Sequence, residues 1–260
     1  CRGGTIMISK KDVHKKIVEI STELKLPGIR KYYIEEVKDS VTKDLDYESF
    51  LLNLLEKEFD LRQENGKTNR IRSANFPYKK HLEDLSIEDL PEAAKQRLGQ
   101  LKTLDFIKNS QNVILAGNPG TGKTHIAIGL GIKACLEGYK VLFTTVPILV
   151  NQLKESRSNR MLRAFENRFE KYDLVIADEM GYISFDKEGS ELLFTNLSLR
   201  AGRKSTIITT NLSFERWDEI FQDPVITAAM IDRLTHKAYI VNMNGNSYRF
   251  KETEKWLKEQ

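Results

Sequence analysis

A glycine-rich stretch that ends in lysine and threonine has the residue types and spacing of a phosphate-binding loop. Residues 117–124 read Gly-Asn-Pro-Gly-Thr-Gly-Lys-Thr and follow the apolar run Val-Ile-Leu-Ala at 113–116. The glycines permit a tight turn that directs several backbone N–H groups at one anion, and a helix beginning near Lys123 adds the positive end of its dipole. A chance glycine-rich turn is the alternative, but the flanking strand and helix that the motif requires are both indicated.

We therefore predict a nucleoside triphosphate site, with ATP and Mg²⁺ as cofactors. Lys123 is predicted to reach the β- and γ-phosphates, and Thr124 to supply a hydroxyl ligand to Mg²⁺. The residues predicted to bind the nucleotide are Gly117, Asn118, Pro119, Gly120, Thr121, Gly122, Lys123, Thr124, His125 and Asp178.

Two adjacent carboxylates end a second apolar run, at 174–177. We predict that Asp178 holds Mg²⁺ through water and that Glu179 orients and polarises the attacking water. A pair of acids at a helix N-terminus is the alternative. A further run at 205–210 ends in Asn211, at the sheet edge where ligands of open α/β folds bind. Asn211 is predicted to position the water and sense the γ-phosphate, although a turn or cap asparagine also fits.

Arg233, in a predicted helix over 224–236, is a further candidate. It could supply positive charge to the transition state of a neighbouring subunit. An ion pair with Asp232 or another surface acid is the simpler interpretation of the residues alone. The predicted catalytic residues are thus Glu179, Lys123, Asn211 and Arg233, and the predicted metal ligands are Thr124 and Asp178.

The elements that must position these residues are strands alternating with helices. Apolar runs at 113–116, 140–145, 173–178 and 205–210 are separated by helical stretches, which is typical of a parallel sheet covered on both faces. The last segment, 239–250, could form a hairpin with Asn-Gly as its turn.

The sequence before the phosphate loop predicts a small helical domain. Apolar residues repeat at helical spacing from Val13 to Leu24 and again from Tyr47 to Phe59, with Asp46 placed as an N-cap. A basic run follows, and Pro91 to Lys108 is predicted as one helix. The predicted divisions are a non-native extension over 1–6, a helical domain over 7–65, a basic junction over 66–90 and an ATPase domain over 91–260.

Composition restricts the class of protein. No apolar run in the 260 residues approaches the ~18 needed to span a bilayer, so we expect a soluble protein. The two cysteines, Cys1 and Cys135, are far apart in sequence, which favours reduced thiols and a cytoplasmic location. The four histidines have no metal-ligand spacing, and the net charge of +4 is only a weak indication of nucleic acid.

Taken together, the motifs resemble the IstB-type helper ATPases of bacterial insertion sequences, members of the AAA+ superfamily related to the DnaC helicase loaders. The similar stretches extend from about residue 75 to 250, in the order and spacing of that family. They are the phosphate loop, the Asp-Glu-Met-Gly-Tyr at 178–182, the segments 188–194 and 205–211, and the Ala-Ala-Met-Ile-Asp-Arg-Leu-Thr-His at 228–236.

This resemblance implies an AAA+ fold, and it matches Arg233 to an arginine finger that acts in trans. The sequence departs from the usual AAA+ pattern after Met243, where we expect too few residues for a full C-terminal lid. The segment 147–172 resembles the two-helix insertion that lines the DNA path in initiator-type AAA+ proteins. Arg249 is a candidate second phosphate sensor. Residues predicted to contact DNA phosphates are Lys154, Arg157, Arg160, Arg163, Arg168, Arg70 and Arg72. A solvated helix face explains these charges equally well.

The function that the resemblance implies is an ATPase that oligomerises, with ATP at the subunit interface, on duplex DNA largely without sequence preference. It would select or remodel target DNA in the bacterial nucleoid and stimulate a cognate transposase. A replicative-helicase loader has the same core and is the main alternative, which the partner distinguishes. A metabolic P-loop kinase and a non-hydrolysing scaffold are others. The sequence has no group of residues suited to a small substrate, which argues against the kinase. If the protein were a non-hydrolysing scaffold, Glu179→Gln should change nothing.

Overall fold

A computed structural model describes residues 9–248, 250, 253, 256 and 257. The chain divides into two compact units, the first ending at Thr68 and the second beginning at Asn69. The predicted extension over 1–6 and the candidate sensor Arg249 lie outside the described residues.

The first unit is helical, as the apolar spacing predicts. Its helices are α1 (Lys10–Glu23), α2 (Pro27–Thr42) and α3 (Tyr47–Ser73), the last of which continues into the second unit. Asp46 caps α3, since its Oδ1 accepts from the Ser49 N–H at 2.7 Å. Pro27 begins α2, in agreement with the preference of proline for the first helical turn.

Glu58 of α3 holds the N-terminus of α2 in this unit. Its Oε2 accepts from the N–H of Gly28 at 2.6 Å and of Ile29 at 3.0 Å, while Arg62 Nε donates to Oε1 at 2.6 Å. A Cβ on Gly28 would lie 2.6 Å from the Glu58 Cα, so only glycine allows this approach. A carboxylate therefore satisfies N–H groups that the first turn of a helix leaves without partners.

The second unit contains a five-stranded parallel sheet, which confirms the predicted α/β fold. Its strands are β1 (Val113–Ala116), β2 (Val141–Thr145), β3 (Leu174–Met180), β4 (Ser205–Thr210) and β5 (Tyr239–Asn242), in the order β2-β3-β4-β1-β5. The hairpin predicted over 239–250 is wrong, because β5 pairs in parallel with β1 and the described residues after it form no strand. Residues 243–248 instead pack on the phosphate loop.

Helices cover both faces of the sheet. They are α4 (Glu92–Lys102), α5 (Asp105–Lys108), α6 (Lys123–Leu136), α7 (Val146–Ser158), α8 (Leu162–Phe169), α9 (Lys187–Arg200), α10 (Asp218–Phe221) and α11 (Pro224–Thr235). The single helix predicted from Pro91 to Lys108 is wrong: Leu104, at φ 59°, separates α4 from α5. The two helices predicted within 147–172 are present as α7 and α8. Among the described residues, none of the helices has the length and apolar content that crossing a bilayer requires.

Two apolar clusters lie on opposite faces of the sheet. One is built on α6 and includes Ala74, Leu82 and Leu90 from the segment predicted as a junction. The other joins α7, α9 and α11 to the sheet around Trp217, which is fully buried. The sheet is thus fixed between two cores, and its carboxyl edge positions the site.

Candidate nucleotide site

The phosphate loop lies between β1 and α6, where the sequence predicts it. Gly120 and Gly122 have φ values of +79° and +88°, a region that favours glycine. The ammonium of Lys123 donates to the carbonyls of Gly117 at 2.7 Å and Asn118 at 2.6 Å. The lysine is buried, so its charge is held inside the loop.

Residues 243–248, which follow β5, pack directly on this loop. The Met243 N–H donates to the Ala116 carbonyl at 2.7 Å, and the Tyr248 N–H donates to the Gly120 carbonyl at 2.9 Å. A Cβ on Gly117 would lie 2.3 Å from the carbonyl carbon of Met243. The loop conformation is therefore fixed by chain more than a hundred residues away in sequence as well as by its own glycines.

Thr124 and Asp178 meet at the base of the loop. The Thr124 hydroxyl donates to Asp178 Oδ1 at 3.0 Å, with Oδ2 at 3.2 Å, and the carboxylate is 4% exposed. Thr209, on β4, also donates to Oδ1, at 2.5 Å. Oxygen donors of this kind are the ligands that Mg²⁺ prefers, so Thr124 and Asp178 fit the metal predicted for them.

A β-bulge interrupts β3 at the two carboxylates. Ala177 lies opposite Ile208, and Met180 lies opposite Thr210. Two residues of β3 therefore face one residue of β4, Thr209. Such bulges re-aim side chains and are frequent beside active sites.

Glu179 is the exposed member of the bulge. Its φ is +64°, a left-handed conformation that is rare for a residue other than glycine. Its N–H donates to the Thr209 hydroxyl at 3.0 Å. The bulge thus places Asp178 in the interior and Glu179 in the cavity beside the phosphate loop.

A cavity of about 430 Å³ brings most of the predicted residues together. Its lining includes Lys123, Thr124, Glu179 and Asn211. Arg233 is not among the described residues that line this cavity. It is exposed on α11, with its guanidinium 5.2 Å from the centre of the Phe194 ring.

The far wall of this cavity comes from residues that carry no sequence motif. They include Tyr78, Leu85, Leu90 and Tyr248. His125 joins α6 to the segment 78–90, because its Nε2 lies 3.0 Å from the His81 carbonyl oxygen. Apolar residues spread over 78–90 resemble any core segment, so only the tertiary structure reveals their position beside the loop.

The predicted DNA-contacting residues have different environments. Lys154 pairs with Asp186 at 2.6 Å, and this hydrogen bond lowers the pKa of the Asp186 carboxyl. Arg157 pairs with Glu188 at 3.5 Å. Arg160 and Arg163 are exposed, with no carboxylate within 4.0 Å among the residues that the structure describes.

The other three predicted DNA contacts are engaged locally. Arg70 is half-buried and donates to the Cys135 carbonyl at 2.7 Å, at the end of α6. Arg72 donates to the Asn69 amide oxygen at 3.0 Å, and Arg168 lies 5.4 Å from the centre of the Phe165 ring. Arg70 therefore has a structural role in the second unit.

The phosphate loop, the paired carboxylates and the strand-end asparagine on a parallel sheet define an ATP-binding protein with the AAA+ P-loop fold. The sequence matches the family of IstB-like ATP binding proteins over residues 20–256, and the chain belongs to that family. The resemblance drawn from the motifs is thereby confirmed.

Curated relatives are similar over nearly their whole length. The ATP-binding protein of insertion sequence IS5376 from Geobacillus stearothermophilus is 35% identical, over 92% of this chain and 95% of its own. The ATP-binding protein of insertion sequence IS232 from Bacillus thuringiensis is 33% identical, over 88% of this chain and 92% of its own.

Solved structures share the fold. A crystal structure of DnaI superposes with a TM-score of 0.55 at 18% identity, over 64% of this chain and 91% of that one. DnaA from Aquifex aeolicus bound to AMPPCP superposes with a TM-score of 0.52 at 21% identity, over 71% of this chain and 56% of that one. Both are similar to the second unit in architecture.

Proposed function

We propose that this protein is an Mg²⁺-dependent ATPase that assembles on duplex DNA and stimulates the transposase of an insertion sequence. The observation that carries the proposal is the bulge in β3, which separates a buried Asp178 from an exposed Glu179 beside the phosphate loop. A second carboxylate held at positive φ beside the phosphate loop supports hydrolysis in addition to binding. The insertion-sequence names of the relatives supply the biological context.

In the proposed reaction, Lys123 would bind the phosphates. Thr124 and Asp178 would hold Mg²⁺, which would supply positive charge to the phosphates. Glu179 orients a water molecule and accepts its proton as the water oxygen bonds to the γ-phosphorus. The bond from that phosphorus to the β–γ bridging oxygen breaks, and ADP and inorganic phosphate form. Asn211, which lines the same cavity, would hold the attacking water in line.

Arg233 is proposed to act on the nucleotide of a neighbouring subunit. It is exposed and does not line its own cavity, which supports a role outside its own site. An arginine supplied in trans makes hydrolysis conditional on assembly. ATP bound between subunits would then favour self-association, and its hydrolysis would dismantle the assembly.

DNA binding is proposed for the α7–α8 segment, principally through Arg160 and Arg163. Exposed cations without intramolecular carboxylate partners are available to phosphates, whereas Lys154 and Arg157 must first leave theirs. Contacts of this kind position a protein on DNA without reading sequence. The proposed site of action is the bacterial cytoplasm.

The decisive experiment combines sedimentation with a strand-transfer assay that contains the cognate transposase. We expect ATP and duplex DNA to produce large assemblies and strand transfer to rise. Lys123→Ala should lose both effects. Stimulation of a hexameric helicase instead, with no effect on strand transfer, would establish the helicase-loader alternative.

Two further variants test hydrolysis. Glu179→Gln should bind ATP and accumulate on DNA, because assembly forms but does not turn over. Arg233→Ala should bind ATP and lose hydrolysis. Mixing it with Glu179→Gln should restore activity, because a mixed interface can combine an intact Glu179 from one subunit with an intact Arg233 from the other. Arg203→Ala, at an exposed arginine, is the matched control. Normal turnover by Glu179→Gln would refute the assigned role of that carboxylate.

A further inference from the structure

Thr209 is a buried threonine of β4 that contacts both members of the carboxylate pair. It is 2% exposed and is the single residue that faces the β3 bulge. Its hydroxyl donates to Asp178 Oδ1 at 2.5 Å and accepts from the Glu179 N–H at 3.0 Å. One side-chain oxygen therefore connects the proposed metal ligand to the backbone of the proposed water-activating residue.

The two hydrogen bonds use the chemistry that a hydroxyl offers, one donor and two acceptor lone pairs. An ionised carboxylate can only accept, and a backbone N–H can only donate. A hydroxyl is therefore the simplest group that can satisfy both at once. Valine has nearly the same shape as threonine and can make neither hydrogen bond.

The backbone of Glu179 needs such support. In a bulge, the ladder is locally disrupted and the extra residue lacks a regular partner on the neighbouring strand. Positive φ at a glutamate persists only when the surrounding structure enforces it. The Thr209 hydroxyl substitutes for the missing ladder acceptor and so fixes the direction in which the Glu179 side chain leaves the strand.

We propose that Thr209 is a positioning residue for ATP hydrolysis, which holds Glu179 and Asp178 in one fixed relative arrangement. This inference rests on the proposed hydrolytic function of the same site. Thr209 acts through the two carboxylates, so nucleotide affinity should depend on it far less than turnover does.

The test compares Thr209→Val with Thr209→Ser in the full-length chain. Thr209→Val should lower kcat about tenfold or more, as expected from displacing a catalytic group, with KM and ATP affinity within about threefold of wild type. Thr209→Ser restores the hydroxyl and should recover most of the rate. Thr206→Val, at a buried threonine at the opposite end of the same strand, controls for the loss of a buried hydroxyl.

A second readout does not depend on activity. The Glu179 amide should exchange with deuterium slowly in wild type and Thr209→Ser, and about tenfold faster in Thr209→Val, because its acceptor is lost. In the Glu179→Gln background, Thr209→Val should cause little further loss of rate, since residues that act as a unit are non-additive.

The outcomes separate the two proposals. A wild-type kcat for Thr209→Val, unchanged exchange at Glu179, or an equal loss in Thr209→Ser and Thr209→Val would overturn the role of Thr209 while the hydrolytic function stands. Equal turnover in wild type and Glu179→Gln would overturn the hydrolytic function at this site, and the exchange measurement would still decide whether Thr209 holds the bulge.

Discussion

Replacement of Arg200 tests how the site-bearing strands are held together. The side chain is 1% exposed at the end of α9. Its guanidinium donates to the carbonyls of Phe169 at 2.9 Å, Tyr172 at 3.1 Å and Ser205 at 3.0 Å. It thereby joins the end of α8 and the approach to β3 to the start of β4.

Two opposing contributions set the size of the effect. Burial lowers the pKa of Arg200 to about 10, although Asp173 and Glu170 act in the other direction. A pKa lowered to about 10 from the usual value of arginine corresponds to a net cost of about 3 kcal/mol for holding the charge at this position, which Arg200→Met would recover. The same change removes three hydrogen bonds from a charged donor to backbone carbonyls, at about 2 kcal/mol each. The net expectation is a loss of about 3 kcal/mol in the free energy of unfolding.

Arg200→Lys should be no better than Arg200→Met. A lysine retains a buried charge, and its single nitrogen cannot reach three divergent carbonyls as the planar fork of arginine does. With two of the three hydrogen bonds lost and no charge removed, the expected loss is about 4 kcal/mol. This order reverses the usual one, in which a substitution that retains the charge destabilises less than one that removes it.

Urea unfolding followed by tryptophan fluorescence is the assay. Trp217 is fully buried in the second unit, so its emission reports the unfolding of that unit. Arg203→Met, an exposed change in the next turn of chain, should stay within about 0.5 kcal/mol of wild type. Full stability of Arg200→Lys together with a clear loss in Arg200→Met would refute the argument, because charge alone would then suffice.

Three other predictions concern separate parts of the molecule. Burial tends to raise the pKa of Glu58, but hydrogen bonds from Arg62 and from the α2 N–H groups lower it overall. Glu58→Gln should therefore lower the free energy of unfolding by about 1 kcal/mol at neutral pH. Measured by circular dichroism, this difference should shrink as the pH falls below 4.5 and through the lowered pKa of Glu58 in the folded protein. A stability difference between wild type and Glu58→Gln that grows in acid would contradict this prediction. Gly117→Ala should weaken ATP binding at least tenfold by equilibrium titration, because its Cβ would lie 2.3 Å from backbone. Gly99→Ala, whose Cβ would have no neighbour within 4 Å, should bind normally. Arg160→Ala should reduce the slope of log affinity for duplex DNA against log salt by about 0.9, and Arg70→Ala should leave that slope unchanged. Equal slopes for wild type and Arg160→Ala would remove Arg160 from the DNA interface.

Local sequence predicted those parts of the site that depend on short-range chemistry. The loop at 117–124, Asn211 directly after β4 and the cap at Asp46 all appear where residue type and spacing place them, whereas β3 continues past the two carboxylates to Met180. The end of the chain was less predictable. Asn244-Gly245 is a favourable hairpin turn in isolation, but the parallel pairing of β5 with β1 prevails because it extends the buried sheet.

What the sequence determines by itself is the chemistry available: a phosphate loop, two carboxylates after one strand, an amide after the next, and an arginine on a later helix. The spacing of these groups is encoded locally, because each follows a strand or opens a helix. Only the tertiary structure decides how they are held. The register of β3 against β4 creates the bulge, brings the Thr209 hydroxyl to the Asp178 carboxylate and the Glu179 N–H, and turns Glu179 into the cavity. Strand register depends on the packing of two cores against the whole sheet, and no short stretch of sequence contains that information.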